Sequence, residues 1–288
     1  MVVTFCVIYK EHFAFQFKPN EIIKMKIFIY SLLLLVTIFS CNKETVETNG
    51  SSIPLQTFKG IKAGSLRCNV TVEYGDQQQV LIDADQDILN ALSLDITDDA
   101  SAVWEIKLAE NVANDFYNNP LEINIKTPDF QSCDISGDVT VKLVDLLSST
   151  GDLDLDIEGN SSLEAEKITR YTNEIEISVK NSGSVVFDEW TVIKDLDIEA
   201  SGATTLELKG VAKEYDAEVT ESGNVSSEEL VTENADINAS GASHIKVNCT
   251  KVLNATASGS GVIEYVQNLT VTVNEDVSGG ASVRPISN

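Results

Sequence analysis

The chain is 288 residues long and 43% hydrophobic, which gives it enough apolar surface for a sizeable core and excludes wholesale disorder. It carries 20 basic and 45 acidic residues, a formal net charge of −25 at pH 7. Four lysines and two glutamates fall within residues 1–40, which leaves 16 basic and 43 acidic residues and a net charge of −27 beyond them. Such a surface repels phosphate backbones and anionic headgroups, so nucleic acid is excluded as a partner.

Residues 1–24 precede a Met25-Lys26 pair and read as an upstream extension of a start at Met25. From there the sequence runs MKIFIYSLLLLVTIFSC. Lys26 is a positive n-region, and the apolar stretch from Ile27 to Ser40 is fourteen residues long. A membrane-spanning helix needs about 20 apolar residues, whereas fourteen suits the h-region of a signal peptide over residues 25–40. The run ends in Ile38-Phe39-Ser40-Cys41, which resembles the lipobox of bacterial lipoproteins. That resemblance implies cleavage between Ser40 and Cys41, diacylglycerol on the Cys41 thiol and acylation of the new amino group. Phe39 is bulkier than the commonest occupant of its position. A buried free cysteine at the end of a core helix is the other reading, but no helical amphipathicity surrounds Cys41.

Residues 41–52 are polar and read as a flexible tether. Their Asn42-Lys43-Glu44 is similar to the surface-export signal of Bacteroidetes lipoproteins, although a single acidic residue follows the lysine directly. The expected location is therefore the cell envelope, lipid-anchored to the outer membrane and surface-exposed.

Residues 53–129 form a region of their own, expected to cap or lead into the carboxy-terminal half. Leu66–Tyr74, the turn signal Gly75-Asp76 and Gln79–Asp83 together read as a β-hairpin. Asp87 to Leu94 reads as one short helix or turn, and Val103–Lys107 and Leu121–Ile125 as further strands.

From residue 130 to 288 a repeat takes over. Ser-Gly or Glu-Gly pairs place glycines at 137, 159, 183, 202, 223, 241, 259 and 279, a period of about twenty. Leu196-Asp-Ile-Glu-Ala-Ser-Gly202 is echoed by Ala235-Asp-Ile-Asn-Ala-Ser-Gly241 and Leu253-Asn-Ala-Thr-Ala-Ser-Gly259. Apolar and polar residues alternate, so one face of each strand is buried and the other wet. A second alternating strand follows each glycine, as in Thr205–Leu208 and His244–Cys249. The fold class expected is all-β: a β-solenoid with about twenty residues per coil and seven to eight coils, preceded by a hairpin-rich cap. A β-sandwich is the competing architecture, and the constant phase of the glycines favours the solenoid.

The chain here resembles the auto-transporter adhesin, head GIN-domain family of Bacteroidetes secreted proteins and lipoproteins, over about residues 55–280. The resemblance rests on Phe58-Lys-Gly-Ile61 leading into Val70-Thr-Val-Glu-Tyr-Gly75, on a Leu-rich turn and on the Ser-Gly coils. It implies a right-handed β-helix and an adhesive role.

Residues suited to catalysis are scarce. Of two histidines, His12 precedes the signal, and His244 sits at an apparent corner with no second histidine to form a metal pair. The arginines are Arg67, Arg170 and Arg284. Cys68, Cys133 and Cys249 share the phase of inward apolar neighbours, where thiols act as small hydrophobes. A Cys68–Cys133 disulfide is a further option in an exported protein. Asp152, Asp154 and Asp156 alternate with Leu153, Leu155 and Ile157, so their carboxylates line one strand edge. They are the weak metal candidates, since calcium takes several carboxylate oxygens; a solvated acidic strand is the simpler reading.

No Gly-rich phosphate loop or nucleophile elbow occurs, and the cations a uronate lyase needs are not clustered. The expected function is a non-enzymatic envelope lipoprotein whose β-helix presents an acidic, Ser/Thr/Asn-rich face for adhesion, without a cofactor. Its partners would be the membrane, through the lipid anchor, and a glycan or extracellular protein. A hydrolase using a carboxylate pair and a purely structural envelope protein are the alternatives.

Overall fold

Alternation of apolar and polar residues governs how this chain folds. In Leu153–Gly159 the leucines and the isoleucine are buried and the intervening acids exposed, so the strand needs a neighbour on each edge and a core beneath it. The structure is a computed structural model that describes residues 50–64, 66–97, 101–108, 120–147, 151–169, 174–191 and 193–286.

The amino-terminal part contains β1 (Ser51–Ser52), β2 (Gly60–Ala63), β3 (Cys68–Tyr74), β4 (Gln79–Asp83), α1 (Gln86–Ala91), β5 (Val103–Ile106) and β6 (Leu121–Thr127). Then come β7 (Ser132–Ile135), β8 (Val139–Val144), β9 (Leu146–Leu147), β10 (Leu153–Gly159), β11 (Ser162–Ala165) and β12 (Ile168–Thr169). They are followed by β13 (Glu174–Asn181), β14 (Ser184–Phe187), β15 (Trp190–Thr191) and β16 (Ile193–Gly202). The last coils hold β17 (Thr205–Val219), β18 (Asn224–Ala239), β19 (His244–Ala257), β20 (Val262–Tyr265), β21 (Thr272–Val277) and β22 (Ser282–Pro285).

These strands stack in register into parallel ladders, as a β-solenoid requires. The first ladder runs β2, β7, β10, β13 and β16, then through the ends of β17, β18 and β19 to β21. The second runs β3, β8, β11 and β14, then through the starts of β17, β18 and β19 to β20 and β22. A short third ladder joins β9, β12 and β15. From β17 onward the short strands of a coil merge into one long strand, 15 residues in β17 and 16 in β18.

Inward residues form continuous columns. Ile135, Ile157, Val179, Ala200, Val219, Ala239 and Ala257 stack along the first ladder, each no more than 2% exposed. The steps between them fall from 22 residues to 18. A shorter coil encloses a narrower interior, and at a fixed packing density alanine then replaces isoleucine.

The Ser-Gly phase needs one correction. The left-handed backbone position at the corner is held by Gly137, Gly159, Asn181, Gly202, Glu221, Gly241, Gly259 and Gly279. In two coils the expected glycine stands two residues later, at Gly183 and Gly223. There the amide of Gly183 donates to the Lys180 carbonyl and that of Gly223 to the Thr220 carbonyl, closing a four-residue turn. A Cβ at either glycine would come 2.6 Å from the valine of its own coil, Val179 or Val219. The corner thus takes glycine at one of two positions, which explains the uneven spacing seen in the sequence.

The amino-terminal hairpin is also corrected. Leu66–Tyr74 and Gln79–Asp83 do contain strands, β3 and β4, but these do not pair with each other. β3 has parallel partners on both edges, β6 and β8, so no edge is left for β4. Instead β4 lies antiparallel against β6, with Ile82 opposite Ile123, and β1 lies antiparallel against β4. The coil formed by β2 and β3 is covered by the later β5 and β6 before the chain resumes at β7. Trp104 plugs this end: it is fully buried, its ring lies 5.7 Å from that of Phe58, and its Nε1 donates to the Ser93 carbonyl.

Cys68, Cys133 and Cys249 are buried, as their phase predicts, and all three thiols are free, so no Cys68–Cys133 disulfide is formed. Burial pushes the Cys68 thiol up to about 12 and raises that of Cys133 as well. Thiolate is the reactive form. Iodoacetamide at pH 8 is therefore expected to leave both unmodified in the folded protein and to label them after denaturation, as peptide mass mapping would show. Labelling at equal rates in both states would contradict the burial.

Candidate functional site: a carboxylate ladder

Outward positions of the first ladder carry a concentration of acid. Asp154, Glu176, Asp197, Asp216 and Asp236 occupy one register position on five successive strands. The column then continues as Asn254 and Asn274, whose side chains are joined by a 2.9 Å hydrogen bond. Beside it run Glu174, Asp195 and Glu214, the last accepting a hydrogen bond from Asn234 at 2.9 Å. On the other side stand Asp156, Ser178, Glu199 and Glu218.

Strand spacing sets neighbouring rungs about 4.8 Å apart. Two carboxylates at that distance repel by roughly 1 kcal/mol in water and by several times that beside a protein surface. Protonation responds accordingly. Partial burial, a hydrogen bond with Glu174 and that residue's charge push Asp197 up to about 6. Asp154, Glu176 and Asp216 are raised as well, first by burial and then by nearby carboxylates: Asp156 of the same strand and Asp134 for Asp154, and mainly neighbouring rungs for Glu176 and Asp216.

Among the described residues, few cations pair with the acids of this face. Lys194 pairs with Asp195 at 2.7 Å and Lys62 pairs with Asp134. At the amino-terminal end, Lys62, Asp134, Asp156, Glu158, Ser178 and Lys180 line a groove of about 320 Å³. The second ladder is different, because its charges alternate and neutralise one another. There Lys142 pairs with Glu166, and Lys246 with Glu228 at 3.0 Å. Glu264 accepts from His244 at 2.9 Å and from Arg284 at 3.0 Å, and these partners hold its carboxyl below the usual range.

Of the residues singled out in the sequence, Cys41, Ser40, His12 and Arg170 lie outside the described residues. His244 is bound to Glu264, twenty residues away and one rung along. Arg67 pairs with Asp138 at 3.0 Å. The trio Asp152, Asp154 and Asp156 does not come together as a site. Asp154 stacks on Glu176, and Asp156 lies between Asp134 and Ser178. Among the described residues no group of three or more His, Cys, Asp or Glu is arranged to hold a metal ion. Glu174 and Asp197 form a carboxylate pair on neighbouring rungs, and their interaction helps to raise Asp197.

The ladder itself escapes a reading along the chain, since its members are about twenty residues apart. Its signal is the repeated acid within Leu153-Asp-Leu155, Ile175-Glu-Ile177, Leu196-Asp-Ile198, Tyr215-Asp-Ala217 and Ala235-Asp-Ile237.

A family model described as "Putative auto-transporter adhesin, head GIN domain" matches residues 57–268. Among solved structures, a putative adhesin from Parabacteroides distasonis ATCC 8503 superposes with a TM-score of 0.70 at 18% identity, covering 82% of this chain and 96% of that one. A putative adhesin from Parabacteroides merdae ATCC 43184 gives a TM-score of 0.64 at 18% identity, over 82% and 95% of the two chains. A protein described as a putative lipid binding protein, also from P. distasonis, gives 0.58 at 16% identity, over 82% and 96%. At these identities the likeness is one of fold. Among curated proteins, no match to the sequence was found.

Proposed function

Since the chain belongs to the putative auto-transporter adhesin, head GIN-domain family, we propose that it is an adhesin-like binding protein of the cell envelope whose first ladder is the binding surface. The observation that carries this reading is the stack Asp154, Glu176, Asp197, Asp216 and Asp236. A face that repels itself lowers stability, and such a penalty is kept where function needs it. The ligand that relieves it carries closely spaced cationic groups, as an amino-bearing glycan or a basic protein segment does. The lipobox-like run and the tether add the anchor: Cys41 receives the lipid, and the tether of residues 41–52 joins it to the solenoid. A lipid ligand is not favoured, because the interior columns are filled by side chains and the first ladder is polar. The reading is of a binding protein and not of an enzyme.

Two measurements test it. Full-length protein is expected to bind immobilised polylysine and to be released by salt, but not to bind succinylated polylysine. Equal binding to both polymers would sink the ligand assignment. Cys41→Ala is expected to move the protein out of the membrane fraction; membrane association that persists with no acyl mass on the wild type would sink the anchor.

A further inference from the structure

The two ends of the solenoid are finished differently. At the amino-terminal end β4 runs antiparallel along β6 and β1 along β4, while Ile96 bridges Trp104 of β5 from outside. At the other end β21 and β22 are the outermost strands of their ladders among the described residues. Val277 there is 43% exposed, and Val273 and Val283 are only partly buried. The third side of this last coil is closed by a side chain: Asn268 donates to the Cys249 carbonyl and accepts from the amides of Thr270 and Val271. Among the described residues β21 and β22 have a partner on one edge only, and apolar residues beside such an edge invite edge-to-edge association.

One interior column ends unlike its neighbours. Leu155, Ile177, Ile198, Ala217, Ile237 and Ala255 stack in register, none more than 3% exposed. The next residue in that column is Glu275, paired with Ala255. The adjoining columns continue with apolar residues: Leu253 is followed by Val273, Ala257 by Val277 and Ile263 by Val283. We infer that Glu275, exposed on the inward side of β21, is a stop residue, a charge that prevents this end of the solenoid from stacking on a second copy.

Symmetry and solvation together give the charge this effect. Head-to-tail stacking is blocked, because the amino-terminal end is already covered. Tail-to-tail stacking is isologous, with the same surface on both copies. If β21 paired antiparallel with its own copy so that both interiors stayed on one side, Glu275 would stand opposite either its own copy or Val273 near the centre of the seam. Each carboxylate would be taken from water without a cationic partner, a penalty that the few exposed valines do not offset. Inward-pointing charge on an edge strand is a known device against such pairing.

The test is the mass of the full chain, purified in a non-ionic detergent and measured by size exclusion with light scattering. Wild type is expected to hold one chain per particle, and Glu275→Leu two. Adding Val273→Lys to Glu275→Leu should return the mass to one chain, since it puts a charge back on the same end. Glu275→Gln removes the charge while keeping the shape, and it should associate in a concentration-dependent way even if the leucine variant misfolds. The inference is overturned if both Glu275 variants stay at one chain per particle with an unchanged circular dichroism spectrum. A wild type that already pairs, and is separated by Val273→Lys alone, overturns it equally.

Discussion

Gly202→Ala is expected to lower the stability of the solenoid by about 2–4 kcal/mol and its thermal midpoint by on the order of 10 °C. Gly202 has a φ of +95°, a conformation that costs an L-residue about 1–2 kcal/mol. Space adds to the penalty. A Cβ here would lie 2.4 Å from the Asn181 carbonyl oxygen and 2.8 Å from its Cα, so the backbone of the coil below must move. That backbone is held by a ladder on both sides, and the strain passes to the next rung instead of relaxing into solvent. Glu221→Gly is the converse test, because Glu221 occupies the same corner position with a φ of +59°. Here the change should raise stability by up to about 1 kcal/mol. Chemical denaturation of both variants beside wild type decides the matter. If the alanine variant is as stable as wild type, the corner account is wrong.

The second expected result concerns pH. Asp197 titrates near 6 in the folded chain and from an ordinary value of 3.8 when unfolded. Between those values the folded state binds more protons than the unfolded one, so stability falls as pH rises through the window. Asp154, Glu176 and Asp216 shift in the same direction. The thermal midpoint should therefore rise on acidification from pH 8 to pH 5, and monovalent salt at pH 8 should raise it too. Glu264 acts in the opposite sense, since its carboxyl is held low by His244 and Arg284. Its contribution is lost as pH falls through that lowered value, so the profile should turn down at the acid end.

Changing Asp154, Glu176, Asp197, Asp216 and Asp236 together to their amides removes the column. Stability at pH 8 is expected to rise by about 2 kcal/mol, a figure already reduced for solvent screening. The slope between pH 8 and pH 5 should flatten, and binding to polylysine should fall at least tenfold. A variant that gains stability yet binds polylysine as wild type does would show that the ladder is a charge burden and not the binding surface. No gain in stability would mean that the carboxylates do not repel as their register implies.

Much of this architecture is legible along the chain because its determinants are local. The alternation in Leu153–Gly159 marks a half-buried strand without reference to any other residue. The buried phase of Cys68, Cys133 and Cys249 follows from the same period of two. The repeat near twenty residues is enough for a solenoid, since a coil that cannot bury its own apolar face must stack on a copy. The run Ile38-Phe39-Ser40-Cys41, which resembles a lipobox, is a local pattern as well, and its reading stands on the sequence alone.

Other features depend on which rung lies over which. Gly183 and Gly223 look like members of the glycine column until register shows Asn181 and Glu221 in that place. β3 and β4 look like a hairpin until β6, which starts only at Leu121, is seen between them. Asp152, Asp154 and Asp156 draw attention as neighbours in sequence, yet the partners that shift the titration of Asp197 and Asp216 belong mostly to other coils. The all-β class, the coil length and the inward residues can be read along the chain, because side-chain alternation and the need to bury apolar surface act locally. The carboxylate ladder, the corner positions and the charge that ends the Leu155 column follow from the register between coils. Each is a relation between residues about twenty apart, and a loop of one or two extra residues shifts it without leaving any local trace.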